Sequence, residues 1–212
     1  MSQDDVHDHI TKIYRSNETC LHFKKKKWSN YSENFVETYK FLQPGTKGAL
    51  GAYLVYKFFE STGFKVIQQE RGYCDIDIDG FNHEIKTSMN KSVKGYGIKH
   101  IKPSADFNNL IFLSIDPDEK FGLRFINRKH LYYFIDNGIL TNSTRLNKEG
   151  YFNLKNGIRP SGYSEDYGVS GKKANIMLKS KYFKPINQWS IDLSNEPLVK
   201  RRTLFEVCKV LS

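Results

Sequence analysis

The most regular pattern in the chain begins at Thr46. From there Leu50, Leu54 and Phe58 recur every four positions with Val55 and Phe59 alongside, the spacing that lines one face of a helix. The Thr46 hydroxyl can cap the first turn, and Gly63 supplies the stop. Phe64-Lys65-Val66-Ile67 then reads as a short strand. The period next falls to two. Tyr73-Cys74-Asp75-Ile76-Asp77-Ile78, then Asp79-Gly80, then Phe81-Asn82-His83-Glu84-Ile85-Lys86-Thr87 form an alternating run about a dipeptide that favours a type I′ turn, which predicts a β-hairpin. Leu110 to Ile115 is an unbroken apolar run of the kind that fills buried strands, broken by Asp116-Pro117-Asp118 and followed by a strand over Phe121 to Ile126. Asn127 can cap a helix carrying Leu131, Phe134 and Ile135, and Gly138 can end it.

Outside this stretch the pattern weakens. The segment up to Leu42 has moderate helical character and ends at Pro44-Gly45. Ile139 to Ser212 is richer in Gly, Asn, Ser and Lys, with strands predicted near Ile176 to Leu178 and Trp189 to Leu193 and a final helix around Thr203 to Leu211. No internal repeat appears. The order of helix, three strands, then strand, strand, helix predicts an α/β or α+β sheet with flanking helices, in one domain over residues 1–212.

Composition changes the picture in two ways. An apolar fraction of 39% that includes 13 Tyr and 15 Phe marks a folded chain, since disordered chains are poor in aromatics. Lys and Arg outnumber Asp and Glu by 33 to 23, and a net charge of +10 favours a polyanionic partner because neutralising phosphates releases condensed counterions. A lysine-rich codon usage explains the same charge equally well. Cys20, Cys74 and Cys208 show no metal-ligand spacing and are odd in number, which fits reduced thiols in a cytoplasmic protein. Met1 to Ile10 is polar, and no apolar run approaches bilayer length, so a soluble protein with no membrane partner is expected. Lys24 to Lys27, followed by Trp28 and Tyr31, reads first as solvated charge and second as a phosphate-tracking patch with stacking aromatics.

The hairpin carries the chemistry. With Asp79 and Gly80 in the turn, Ile78 pairs with Phe81, which sets Asp77 opposite Asn82, Asp75 opposite Glu84 and Tyr73 opposite Lys86. Alternation sends Asp75, Asp77, Glu84 and Lys86 to one face and Ile76, Ile78, Phe81, His83 and Ile85 to the other. Two opposed carboxylates repel unless a cation sits between them, and an oxygen-only ligand set suits a hard ion such as Mg²⁺. Such an arrangement is fit for in-line phosphodiester hydrolysis, with Lys86 orienting water or offsetting developing charge. A surface hairpin of solvated acids with a salt-bridging lysine is the plain alternative.

At these residues the sequence resembles the PD-(D/E)XK nuclease superfamily, the fold of many type II restriction endonucleases, junction resolvases and mismatch-repair nicking enzymes. Asp75-Ile76-Asp77-Ile78-Asp79-Gly80 with Glu84-Ile85-Lys86-Thr87-Ser88 matches its signature hairpin, and the likeness covers about residues 46 to 135. The resemblance implies a restriction-endonuclease-like mixed central sheet flanked by helices. It also implies Mg²⁺ held by Asp75, Glu84 and the Ile85 carbonyl, Lys86 as activating group, and hydrolysis of double-stranded DNA, as a homodimer where both strands are cut. On that reading residues 1–45 and 139–212 serve recognition or dimerisation. The motif's proline is replaced by Cys74. The glutamate that many relatives carry on the first helix is missing, Gly51 being followed by Ala52, which leaves Asp77, Glu60 and Glu70 as substitutes for a second metal position.

The basic stretch Lys91, Lys94, Lys99, His100 and Lys102, interleaved with Gly95 and Gly97, lies where a DNA backbone would pass the hairpin. Lys172, Lys173 and Asn175, with Arg159-Pro160-Ser161, carry groups able to reach base edges, and Lys200-Arg201-Arg202 can meet phosphates or water.

Overall fold

The structure is a computed structural model and describes residues 2–28, 31–68, 74–90, 95–102, 105, 107–142 and 167–186. Four helices open the chain: α1 (Gln3–Tyr14), α2 (Asn17–Lys25), α3 (Phe35–Phe41) and α4 (Pro44–Ser61). Strands β1 (Val66–Gln68), β2 (Ile76–Ile78), β3 (Phe81–Met89), β4 (Gly97–Ile101), β5 (Asn109–Ile115) and β6 (Phe121–Asn127) follow. The described part closes with α5 (Arg128–Asp136), β7 (Thr141–Asn142), β8 (Tyr167–Ser170), α6 (Lys172–Lys179) and β9 (Lys184–Pro185).

The predicted mixed sheet flanked by helices is present. Among the described residues six strands run in the order β1-β2-β3-β5-β6-β9, and β4, β8 and β7 form a separate three-stranded sheet. The first three strands are an antiparallel meander, while β3 and β5 run parallel, Glu84 beside Leu110 and Lys86 beside Phe112. Strand β5 is buried at every position, which explains its unbroken apolar run. Its alternate residues feed two cores. Ile111, Leu113 and Ile115 meet α1, α3 and α4, whereas Leu110 and Phe112 meet Ile98, Leu131, Val169 and Met177 on the other face. A central strand covered on both sides leaves the neighbouring β3 as the strand that carries polar groups into the second face.

Local chemistry explains most boundaries. Asn127 caps α5 by accepting from the Lys129 N–H at 2.9 Å, and Gly138 at φ 64 ends it, as predicted. Gly63 at φ 85 follows α4. The start of α4 corrects the sequence reading: Pro44-Gly45 opens the helix instead of ending the preceding segment, and Thr46 lies inside the first turn and does not cap it. Proline lacks an N–H that the first turn leaves unpaired in any case, and its φ is already helical. The strand predicted from Phe64 begins at Val66. The strand predicted at Ile176 to Leu178 is instead part of helix α6, with Ala174, Met177 and Leu178 buried at i, i+3 and i+4. The expectations for Trp189 to Leu193 and Thr203 to Leu211 lie outside the described residues.

Trp28 and Tyr31 are half-buried against the first core, and Trp28 sits edge-on to Phe23 with ring centroids 4.9 Å apart. Neither Cys20 nor Cys74 forms a disulfide among the described residues. Among the described residues no helix is long and apolar enough to cross a membrane.

Candidate active site

The hairpin register matches the sequence count. Ile78 pairs with Phe81, Asp77 with Asn82 and Ile76 with His83. Asp79 at φ 52 and Gly80 at φ 90 give the two left-handed residues of a type I′ turn. Two of the three hairpin aspartates are consumed locally. Asp77 accepts from the Gly80 N–H at 2.9 Å, and Asp79 accepts from the Lys65 N–H at 3.1 Å. Asp77 therefore belongs to the turn. Glu60 is engaged by Lys57 at 2.7 Å and by the Tyr56 hydroxyl at 2.8 Å, and Glu70 lies outside the described residues.

Asp75 stands where β2 runs out. Its N–H still donates to the His83 carbonyl at 3.0 Å, and its Oδ2 takes over the ladder by accepting from the Ile85 N–H at 2.7 Å. An orphaned strand N–H thus fixes the carboxylate across from Glu84. Glu84 and Lys86, two apart on β3, share a face and form an ion pair between Oε1 and Nζ. Burial pushes the Glu84 carboxyl above its ordinary value; Lys86 pulls it down, and the charge of Asp75 pushes it up again. Asp75 Oδ1 and Glu84 Oε2 accept no hydrogen bond among the described residues.

The face behind is packed closely. A Cβ on Gly51 of α4 would fall 1.8 Å from the Thr87 Oγ1, so only glycine lets the helix lie on β3 at this point. That contact accounts for a glycine in the interior of α4. His83 is fully buried and points to this side. Its Nδ1 meets the Phe81 carbonyl at 2.6 Å and its Nε2 the Asn109 side-chain nitrogen at 3.4 Å, a pairing that needs one N–H and one lone pair, hence a neutral ring. Burial pushes its pKa down to about 4.

In front of the hairpin a cleft of about 1140 Å³ is lined by Asp75, Ile85 and Lys86 together with Lys99, His100 and Lys172. Three of the predicted cationic residues therefore do face the same space as the hairpin. Lys102 is exposed nearby, and its charge acts on Glu84. Lys173 turns away and donates to the Gly138 carbonyl at 3.0 Å. Asn175 lies against Gly95 and lines a separate pocket beside Gln3, Ser114 and Arg124, so it is not displayed in the cleft. Both residues lie on helix α6, whose turn directs them away from the side that Lys172 presents to the cleft. Lys91, Lys94, Arg159-Pro160-Ser161 and Lys200-Arg201-Arg202 lie outside the described residues.

Sequence reasoning missed Lys47, Ser88 and Tyr96, which also line the cleft. Lys47 had a readable signal. It stands in a first helical turn that holds no acidic residue, where a cation opposes the helix dipole, and anions are the natural complement of such an end.

Among the described residues no group of three or more His, Cys, Asp or Glu side chains is arranged to hold a metal ion. The oxygen set at the hairpin is two carboxylates and, with Ile85 on the cleft wall, a backbone carbonyl. This set fits Mg²⁺, which keeps several waters and needs only one or two protein carboxylates, and Asp75 and Glu84 are close enough for the charge of one to act on the other.

No family model matches the chain, and no curated protein matches it. Among solved structures it is similar to a bacterial homing endonuclease, with a TM-score of 0.33 and 12% identity over 42% of this chain and 71% of that one.

Proposed function

We propose that the protein is a Mg²⁺-dependent endonuclease that hydrolyses phosphodiester bonds of double-stranded DNA, in the manner of the PD-(D/E)XK superfamily. The observation that carries the reading is the convergence of Asp75, Glu84 and Lys86 on one face of a type I′ hairpin, with Asp75 and Lys86 at the wall of a cleft whose other charged lining residues are cationic. Asp75, Glu84 and the Ile85 carbonyl would hold the ion. When bound, Mg²⁺ supplies Lewis-acid polarisation of the scissile phosphate and a lowered pKa for the attacking water. Lys86 orients that water and offsets charge building on the phosphorus oxygens. Asp75 is fixed by the Ile85 N–H, so its free oxygen is aimed before substrate arrives. Lys99, His100 and Lys172 neutralise backbone phosphates. The finer reading is a sequence-specific restriction-type enzyme working as a homodimer.

Plasmid cleavage by the purified chain in Mg²⁺ and in EDTA tests this. Cleavage is expected in Mg²⁺ alone, falling by at least about a hundredfold in Asp75→Ala and in Lys86→Ala. Wild-type rates in both variants remove these residues from the mechanism. Discrete fragments from a long duplex support restriction, and cutting confined to branched or damaged DNA supports a structure-selective repair nuclease. A second reading, a DNA-binding module without catalysis, draws on Gly51 and Ala52 standing where many members of the resembled superfamily carry a further carboxylate. Metal-independent binding with no cleavage of any DNA form selects it.

A further inference from the structure

Strand β4 contains a bulge that faces the cleft. Ile98 pairs with Val169 and Ile101 with Tyr167, so Lys99 and His100 together stand opposite the single residue Gly168. The partner must be small: a Cβ on Gly168 would lie 2.9 Å from the Ile98 carbonyl oxygen and 3.4 Å from the Lys99 Cα. In a regular strand Lys99 and His100 would point to opposite sides. Here both are exposed, both line the cleft with Asp75 and Lys86, and the flanking Ile98 and Ile101 are both buried.

The geometry carries a conformational cost, and it falls on one residue. His100 adopts φ 57, a left-handed conformation in which a side chain crowds its own backbone. The other non-glycine residues at positive φ among those described, Lys27, Asp79 and Glu119, lie in turns or bends, where that conformation reverses the chain. His100 is the case inside a strand. Glycine at this position would relieve the crowding, and histidine stands there instead, lining the cleft that Asp75 and Lys86 line.

We propose that the β4 bulge is a phosphate clamp. Lys99 and His100 grip the backbone of the DNA strand lying across Asp75, Glu84 and Lys86, and His100 is a positioning residue for that strand. The clamp rests on the nuclease reading above and adds to it the wall that holds the substrate in place. A backbone phosphate is recognised here by an ammonium and an imidazole brought side by side, which a two-residue bulge achieves and an alternating strand does not.

Full-length His100→Gly, His100→Ala and Lys99→Ala variants test the clamp by thermal unfolding, by duplex DNA affinity across a salt series, and by KM and kcat for cleavage. His100→Gly is expected to melt at a higher temperature than wild type, because the strain is gone. Its DNA affinity is nevertheless expected to fall about tenfold, the size of one lost charge-assisted hydrogen bond, with the loss falling in KM more than in kcat. Lys99→Ala is expected to lower the slope of log affinity against log salt by about one. A merely structural His100 would move stability and activity together, and that parallel change in His100→Gly overturns the proposal. Wild-type affinity, KM and salt slope in both His100→Gly and Lys99→Ala also overturn it, and would leave the bulge as a device for burying Ile98 and Ile101. Cleavage retained alongside such results sinks the clamp alone. A wild-type protein that neither binds nor cuts DNA sinks the nuclease reading and the clamp with it.

Discussion

At the scale of single residues, His83 ties the candidate site to the stability of the fold. It sits between Asn82 and Glu84 on β3 with no exposed surface and a pKa pushed down to about 4 from an ordinary 6.5. Between those two values the unfolded chain binds a proton that the folded chain refuses, so stability is full above about pH 6.5 and falls as pH drops toward about 4. The loss over that window is roughly 3 kcal/mol. Denaturant unfolding of the wild type against His83→Gln, at the two ends of the window, measures it. The variant is expected to be the less stable near neutrality and to show the flatter pH dependence, and an unchanged slope would mean that His83 is protonated without penalty. The same scale shows what alternation can and cannot reveal. Asp75, Glu84 and Lys86 were legible because period-two spacing alone puts them on one face. Asp77 shares that spacing, yet its oxygen serves the Gly80 N–H, a competition that depends on the turn closing and leaves no mark in the pattern.

At the scale of elements, the decisive contact is the crossing of α4 over β3. Gly51 is a poor helix former in the middle of an 18-residue helix, and its reason lies in a strand more than thirty residues away. Gly51→Ala gains helix propensity but forces a methyl into Thr87, and overpacking of this kind costs about 1–3 kcal/mol. Chemical denaturation is expected to show net destabilisation, and a stabilised variant would show that the helix can lift from the sheet freely. Strong elements with their own punctuation, such as α5 between Asn127 and Gly138, were readable from the chain. Helix α6 was not: Ile176 to Leu178 is too short an apolar run to distinguish a strand from a buried helix face, and Gly171 at φ 62, the residue before the helix, looks like any loop glycine. The helix also sets where Lys173 and Asn175 point, since a helical turn fixes which neighbours share a face.

At the scale of the whole molecule, a net charge of +10 becomes informative only through where the cations stand. Lys47 comes from α4, Lys86 from β3, Lys99 from β4 and Lys172 from α6, and all four line one cleft. Each neutralised phosphate contributes about −0.9 to the slope of log affinity against log salt, so with Lys86 paired to Glu84 a duplex seated on Lys47, Lys99 and Lys172 predicts a slope of about −3. Fluorescence anisotropy over a salt series checks the value, with Lys172→Ala expected to flatten it by about one. A slope near zero would mean that the positive charge is spread over a surface that DNA does not use.

What the sequence determined by itself was local. Period-two alternation about Asp79-Gly80 decides which side chains share a hairpin face, and period-four apolar spacing decides that α4 has a face to bury, because both follow from backbone geometry within one element. The tertiary structure decided which elements share a cleft. The pairing of β4 with β8, which makes the bulge at Lys99 and His100 and requires Gly168, joins segments far apart in the chain, and such pairings are selected by the packing of two cores on either side of β5, which no local pattern encodes.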